Sequence, residues 1–275
     1  MSVMEYIPQP GFFEMLGSSP AMERLRLQLE RIGPHFRTIL LTGETGAGKE
    51  LAARTLHQLS PAANEPFLVY DPATTIEESL ESAARGTLFL DEVGDTSSAV
   101  QAKLLRLMRM VDTRIIAATY RNLRHQAAIG EFRSDLYYRL STVEIEVPPL
   151  RQRMEDLPLL VEHILFRAGE RYHKPAMEIS SEAMATLRSY SWPGNIRELE
   201  SVLNNAVMQQ EGIVIHTISL PEPESPAKAD SLPVRLDDLI SRHVRGVLAQ
   251  CEGNKVRTAE LLGISRSTLY RMLEA

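Results

Sequence analysis

The chain has 275 residues, with 30 Lys and Arg against 36 Asp and Glu, for a formal net charge of −6. That length suits one large domain plus a small one, and the acidic balance excludes a surface that coats nucleic acid everywhere while leaving room for a local basic module. One cysteine, Cys251, excludes an intrachain disulfide and fits a reducing cytoplasm. The opening MSVMEYIPQPGFFEML has no basic start followed by an apolar run, and no apolar run is long enough to cross a bilayer. A cytoplasmic protein without a membrane partner is expected.

RTILLTG (Arg37 to Gly43) is a short apolar run ending in glycine, the pattern of a buried parallel strand. KELAARTLHQL follows at helical spacing. PFLVYD, GTLFLDE and RIIAAT (Arg114 to Thr119) are three more buried-strand candidates, and SSAVQAKLLRLMRM between the last two is helical. Strands alternating with helices predict a parallel α/β sheet. From Glu155 to Gln210 the pattern is helical throughout, broken at SWPGN (Ser191 to Asn195), which predicts a smaller all-helical subdomain. LPEPESPAKADSLP (Leu220 to Pro233) is too rich in proline, charge and small residues for a packed element and reads as a linker. The final forty or so residues are helical again, with a glycine break at LLGIS (Leu261 to Ser265).

GETGAGKE, after the first strand, matches G-x-x-x-x-G-K in the strand-to-helix context that a phosphate-binding loop needs. Gly43, Gly46 and Gly48 let the backbone curl so that N–H groups face phosphates, and the helix opening at Lys49 aims its positive end at them. Glu44, Thr45 and Ala47 complete the candidate cofactor-binding loop, and Lys49 reaches β- and γ-phosphates. Glu50 stands where the motif carries Ser or Thr, so the usual hydroxyl ligand of Mg²⁺ is absent. Asp91 and Glu92 end an apolar strand at the sheet edge where ligands gather; Asp91 would hold Mg²⁺ through water and Glu92 would polarise the attacking water. Each motif alone also has a plain reading, a glycine-rich turn or a strand ending in acidic residues.

GETGAGKE, GTLFLDEVGD, QAKLLRLM, RIIAAT, FRSDLYYRL, VPPLRQRMEDLPLL and YSWPGNIRELE occur in this order. The series closely resembles the AAA+ domain of bacterial enhancer-binding proteins, the activators of sigma-54 RNA polymerase, over about Phe12 to Ile215. The resemblance implies ATP and Mg²⁺ as cofactors, an ATPase activity, and Glu as an ordinary occupant of position 50. It implies that Arg133 and Arg139 are arginine fingers reaching a neighbouring subunit's γ-phosphate, that Arg197 is a lid arginine sensing that phosphate, and that the ring is a hexamer or heptamer. Trp192 reads as core packing.

Two positions depart from the family. Tyr120 stands where the family has an Asn that orients the catalytic water or relays nucleotide state, and a phenol lacks an amide's paired donor and acceptor. Between PFLVYD and LFLDE the family carries a long insertion tipped by Gly-Ala-Phe-Thr-Gly-Ala, which touches the sigma factor. Here DPATTIEESLESAARG (Asp71 to Gly86) crosses directly from strand to strand, with room for one short helix, and that motif occurs nowhere in the chain.

CEGNKVRTAELLGISRSTLYRML (Cys251 to Leu273) reads as two short helices around a tight turn. Asn254 or Gly253 opens the first, Gly263 closes it, and Ser265 caps the second. Ala259, Leu262, Ile264, Leu269 and Leu273 pack the inside, and Arg266, Ser267, Thr268, Tyr270 and Arg271 lie outward. That is a helix-turn-helix with a recognition helix starting near Ser265. The segment resembles the Fis-type DNA-binding domain, with RLDDLISRHVRGVLAQ as the preceding helix that in the family helps form a dimer. Arg266 and Arg271 are candidates for base or phosphate contact, Lys255 and Arg257 for phosphate. A generic helical hairpin for protein contact is the alternative.

The expected organisation is an AAA+ α/β P-loop subdomain at 12–150, a helical lid at 151–219, a linker at 220–233 and an all-α Fis-type domain at 234–275. Only about a dozen residues precede the first, so no receiver or ligand-sensing domain is expected there. The leading expectation is an ATP-binding regulator that binds a two-fold symmetric double-stranded DNA site as a dimer, with RNA polymerase holoenzyme as a further partner. It would not remodel sigma-54 polymerase through the usual loop. The alternatives are an active ATPase motor that acts on sigma-54 through another surface or partner, and a binding module whose AAA+ fold only supports oligomerisation.

Overall fold

The computed structural model describes residues 15–71, 75–83, 85–108, 113–175, 177–210 and 212–221, then 244, 254–265, 268, 269 and 272. The chain divides into two compact units, Met1–Ser219 and Leu220–Ala275. In the first, β1 (Thr38–Thr42), β2 (Phe67–Val69), β3 (Thr87–Leu90), β4 (Arg114–Thr119) and β5 (Glu144–Glu146) form a parallel sheet in the order β2-β3-β4-β1-β5. Successive strand residues point to opposite faces, and both faces are covered. Ile39, Leu41, Ile116 and Ala118 pack against Leu25 and Leu29 of α1 (Pro20–Ile32) and Ala53 and Leu56 of α2 (Lys49–Leu59). Leu40, Leu88, Ile115 and Ala117 pack on the other face, against Ile76 of α3 (Ile76–Ser82), Leu104 of α4 (Ser98–Leu107), Leu123 of α5 (Leu123–Ala128) and Leu136 of α6 (Ser134–Leu140).

Four of these strands are legible in the sequence as apolar runs. β5 is not, because at the sheet edge only Ile145 is buried and Glu144 and Glu146 are exposed. The crossover from β2 to β3 contains α3, whose start is fixed by a reciprocal pair. Thr75 Oγ1 accepts from Glu78 N–H at 3.2 Å, and Glu78 Oε2 accepts from Thr75 N–H at 3.0 Å.

The smaller subdomain contains α7 (Leu157–Tyr172), α8 (Ser181–Ser189) and α9 (Asn195–Gln209). Its sequence pattern predicts helix throughout, but the structure also contains two short strands. β6 (Glu178–Ile179) and β7 (Val214–Ile215) pair in parallel and tie the start of α8 to the chain leaving α9. Two-residue strands carry no readable period, so only the pairing reveals them. Trp192 is fully buried, and its indole N–H donates to Leu187 O at 2.9 Å, as core packing requires.

In the second unit a helix spans Lys255–Leu262. Asn254 Oδ1 accepts from the N–H groups of Val256 and Arg257 and caps it. Gly263, at φ +65°, ends it, and Ser265 Oγ accepts from Thr268 N–H at 3.2 Å. Val244, Ala259 and Leu269 are buried together, with Leu262, Ile264 and Met272 packed against them. Leu273, the linker beyond Pro221, and the preceding helix apart from Val244 lie outside the described residues. Among the described residues no helix is long and apolar enough to cross a membrane.

Asp156 joins the two subdomains. Its Oδ1 accepts from the N–H groups of Ser18 and Ser19 at 2.7 and 2.8 Å, and its Oδ2 from Ser19 Oγ at 2.6 Å. Ser19 caps α1, and Asp156 directly precedes α7. Asp156→Ala leaves buried donors unpaired and is expected to cost about 3 kcal/mol or more in urea unfolding. Asp156→Asn, which keeps an acceptor for the two amides, is expected to lose less than half of that.

Candidate functional site

The loop after β1 curls as its glycines permit. Gly46 sits at φ +76°, and a Cβ there would lie 2.3 Å from Gly194 O, so only glycine lets the loop lie against the smaller subdomain. Gly43 and Gly48 also have positive φ, and Gly48 occupies the N-cap of α2. Lys49, the first residue of α2, is only 6% exposed. Its ammonium donates to Gly43 O at 2.9 Å and Glu44 O at 3.2 Å, and lies 3.0 Å from Glu92 Oε1. Burying an ammonium this deeply costs energy unless such partners are present.

Glu92 has φ +45°, a left-handed conformation that costs energy in a residue with a Cβ and is typical of functional turns. Its second oxygen accepts from Tyr120 N–H at 2.9 Å. Asp91 beside it has its carboxyl pushed above the usual range, first by burial and then by the charge of Glu92, with Lys49 opposing. Lys49, Asp91 and Glu92 share a cleft of about 420 Å³ with Thr45, Gly46, Gly48, Glu50 and Arg197. Glu50 pairs with Arg54, one helical turn on, at 2.7 Å. A second cavity of about 480 Å³ adjoins through Gly48, Leu51, Ile196 and Glu200, and Met15, Leu16, Ile164 and Ala47 give it apolar walls.

Of the sequence-predicted residues, the structure thus brings the loop, Asp91, Glu92 and Arg197 together. Arg133 and Arg139 are not among the residues lining the cleft. Arg133 pairs with Asp135 at 2.8 Å, and Arg139 Nη2 donates to Met108 O at 2.9 Å near the end of α4. The Tyr120 side chain is half exposed and turned to Arg121, whose Nε donates to its hydroxyl at 3.1 Å. Arg121 in turn pairs with Asp95. Only the backbone of Tyr120 meets Glu92 in the contacts above.

Three residues that the sequence reading passed over shape the loop. Asn195 is fully buried at φ +53°, and its amide donates to Glu44 Oε2 and Thr45 O, both at 3.1 Å. Arg151 holds the Glu44 carboxylate with both Nη groups, and this pairing is the main cause holding Glu44 below the usual carboxylate range. Arg153 is buried and donates to Ala47 O at 2.6 Å. The available signal was Asn directly after Pro-Gly, since Asn tolerates the left-handed region better than most residues.

In the second unit Lys255, Arg257 and Ser265 are exposed and Thr268 is half-buried. Arg266, Ser267, Tyr270 and Arg271 lie outside the described residues.

Three family models match in succession: "Sigma-54 interaction domain" at residues 16–150, "AAA+ ATPase lid domain" at 151–233 and "Bacterial regulatory protein, Fis family" at 242–275. The transcriptional regulatory protein ZraR of Salmonella typhimurium is 38% identical over 306 residues, covering 95% of this chain and 68% of ZraR. The crystal structure of NtrX from Brucella abortus in complex with ATP is 34% identical, covers 97% of this chain and 70% of NtrX, and superimposes with a TM-score of 0.70. The same protein in complex with ADP is 35% identical, with coverage of 95% and 68% and a TM-score of 0.69. The fold is therefore an α/β P-loop NTPase sheet with a helical lid, followed by a Fis-type helix-turn-helix domain. Domain order, sequence identity and fold agree, and the chain belongs to the sigma-54-dependent family of bacterial transcriptional regulators.

Proposed function

We propose that the chain is an ATP-binding, DNA-binding transcription regulator whose contact with sigma-54 no longer runs through the family's usual loop. The observation that carries the nucleotide part is the triad of Lys49, Asp91 and Glu92 around a curled glycine loop. In this reading the N–H groups of 43–49 bind phosphates, and Lys49 leaves Glu92 for the β- and γ-phosphates. The apolar cavity beside Leu51 and Ile196 takes the base. Asp91, whose partly buried charge is opposed by its neighbour's, fits a Mg²⁺ held through water; the cation would offset charge on the phosphates. Glu92 then orients water, Arg197 reads the γ-phosphate, and Arg133 and Arg139 serve a neighbouring subunit's site in a ring. The proposed subdomain boundaries are 12–150, 151–219, 220–233 and 234–275.

Lys255, Arg257, Ser265, Arg266, Ser267, Thr268, Tyr270 and Arg271 form the proposed DNA face, used by a dimer on a two-fold site. The crossover between β2 and β3 supports the loss of the sigma-contact loop. It spans only residues 70–86, and its described part is the capped helix α3. The alignment with ZraR also runs over 306 positions, more than this chain has residues, so ZraR carries residues without a counterpart here. Membership of the family favours a second reading, a motor that still drives sigma-54 polymerase through another surface or a partner subunit.

ATP turnover per chain is expected to rise with protein concentration, because fingers and pocket come from different subunits, and to vanish in Glu92→Gln. Flat turnover per chain would refute the shared site. Tyr120→Asn places an amide next to the backbone N–H that holds Glu92 and is expected to raise kcat by roughly a hundredfold, the low end for a positioned catalytic group; an unchanged kcat would mean that Tyr120 is not limiting. In a purified sigma-54 transcription system this protein alone is expected to give no open complex. ATP-dependent open-complex formation would favour the second reading.

A further inference from the structure

Four consecutive residues of the phosphate loop are held, one after another, by the lid and the turn that leads into it. The Glu44 carboxylate takes Arg151 and the Asn195 amide. Thr45 O accepts from Asn195 Nδ2 at 3.1 Å, Gly46 O from Ile196 N–H at 3.0 Å, and Ala47 O from Arg153 Nη2 at 2.6 Å. Inside the loop, Ala47 N–H closes a turn on Glu44 O at 3.2 Å. A trans peptide points its N–H opposite to its carbonyl. Binding the carbonyls of Thr45 and Ala47 to the lid side therefore fixes the N–H groups of Gly46 and Gly48 away from it.

Asn195 is central to this set. Its Oδ1 accepts from Leu150 N–H at 2.8 Å while its Nδ2 donates to the loop, so one buried amide ties the lid hinge, the start of α9 and the loop together. Asp has the same shape but no donor, and it would set a second carboxylate against Glu44. We propose that Asn195 is a positioning residue for nucleotide binding: the docked lid, through Asn195 with Arg151, holds the phosphate loop in its binding curl. The lid then sets the loop's affinity before any nucleotide contact of its own. This rests on the nucleotide reading above.

Amide hydrogen exchange across residues 43–48 tests the proposal without nucleotide, and titration with a fluorescent ATP analogue tests its consequence. Asn195→Asp is expected to speed exchange in that segment and to weaken binding of the analogue by about tenfold, the scale for a buried polar contact left unpaired. Glu44→Gln in the same background relieves the facing carboxylates and supplies a donor to the new one; it is expected to recover part of that loss, since Thr45 O still lacks its donor, and a merely structural defect would allow no recovery. If Asn195→Asp does not fold by circular dichroism, Arg151→Gln, a change at a half-exposed side chain, is expected to give the same faster exchange. Unchanged exchange at 43–48 in the folded variant overturns the proposal. If the wild-type chain binds no analogue, the nucleotide reading falls, and the exchange measurement alone decides the proposal.

Discussion

The ion pair between Lys49 and Glu92 is the contact around which the large subdomain is arranged. Lys49 follows β1 and Glu92 follows β3, and β4 lies between those strands in the sheet. They meet because all three strands run the same way and end at one edge, where α/β folds gather their ligands. β4 supplies the backbone that joins them: Gly43 N–H donates to Thr119 O, and Tyr120 N–H to Glu92. These bonds join loop, strand ends and acidic pair into one unit around an almost fully buried ammonium.

The second subdomain completes that unit. Arg151 and Arg153 come from the turn before α7, and Asn195 from the start of α9, yet all bind the phosphate loop. Asp156 anchors the same turn to the cap of α1, and Arg153 also reaches Met22 of that helix. The lid and the loop are thereby joined by directional bonds rather than by an apolar surface alone. At Gly46 the two lie so close that a single methyl group would push them apart.

Two features stand apart from this set: the Tyr120 side chain, turned to Arg121, and the short capped helix of the crossover between β2 and β3. Both lie on segments that follow a strand at the same sheet edge, β4 for Tyr120 and β2 for the crossover. The fold absorbs both because the core residues of β2, β3 and β4 stay apolar on either face.

Residue pattern alone reveals the parallel sheet, the phosphate loop, the acidic pair and the helix-turn-helix. Each rests on local patterns: apolar runs, glycine spacing, and capping residues such as Asn254 and Ser265. It did not reveal β5, β6 and β7, whose pairing depends on neighbours distant in the chain. Nor did it reveal the grip of Arg151, Arg153 and Asn195 on the loop. Asn195 and Glu44 are separated by 151 positions, and an arginine in a turn has no local signature of what it will hold. These contacts exist only in the folded chain, because a hydrogen bond between distant residues is fixed by the packing of whole elements.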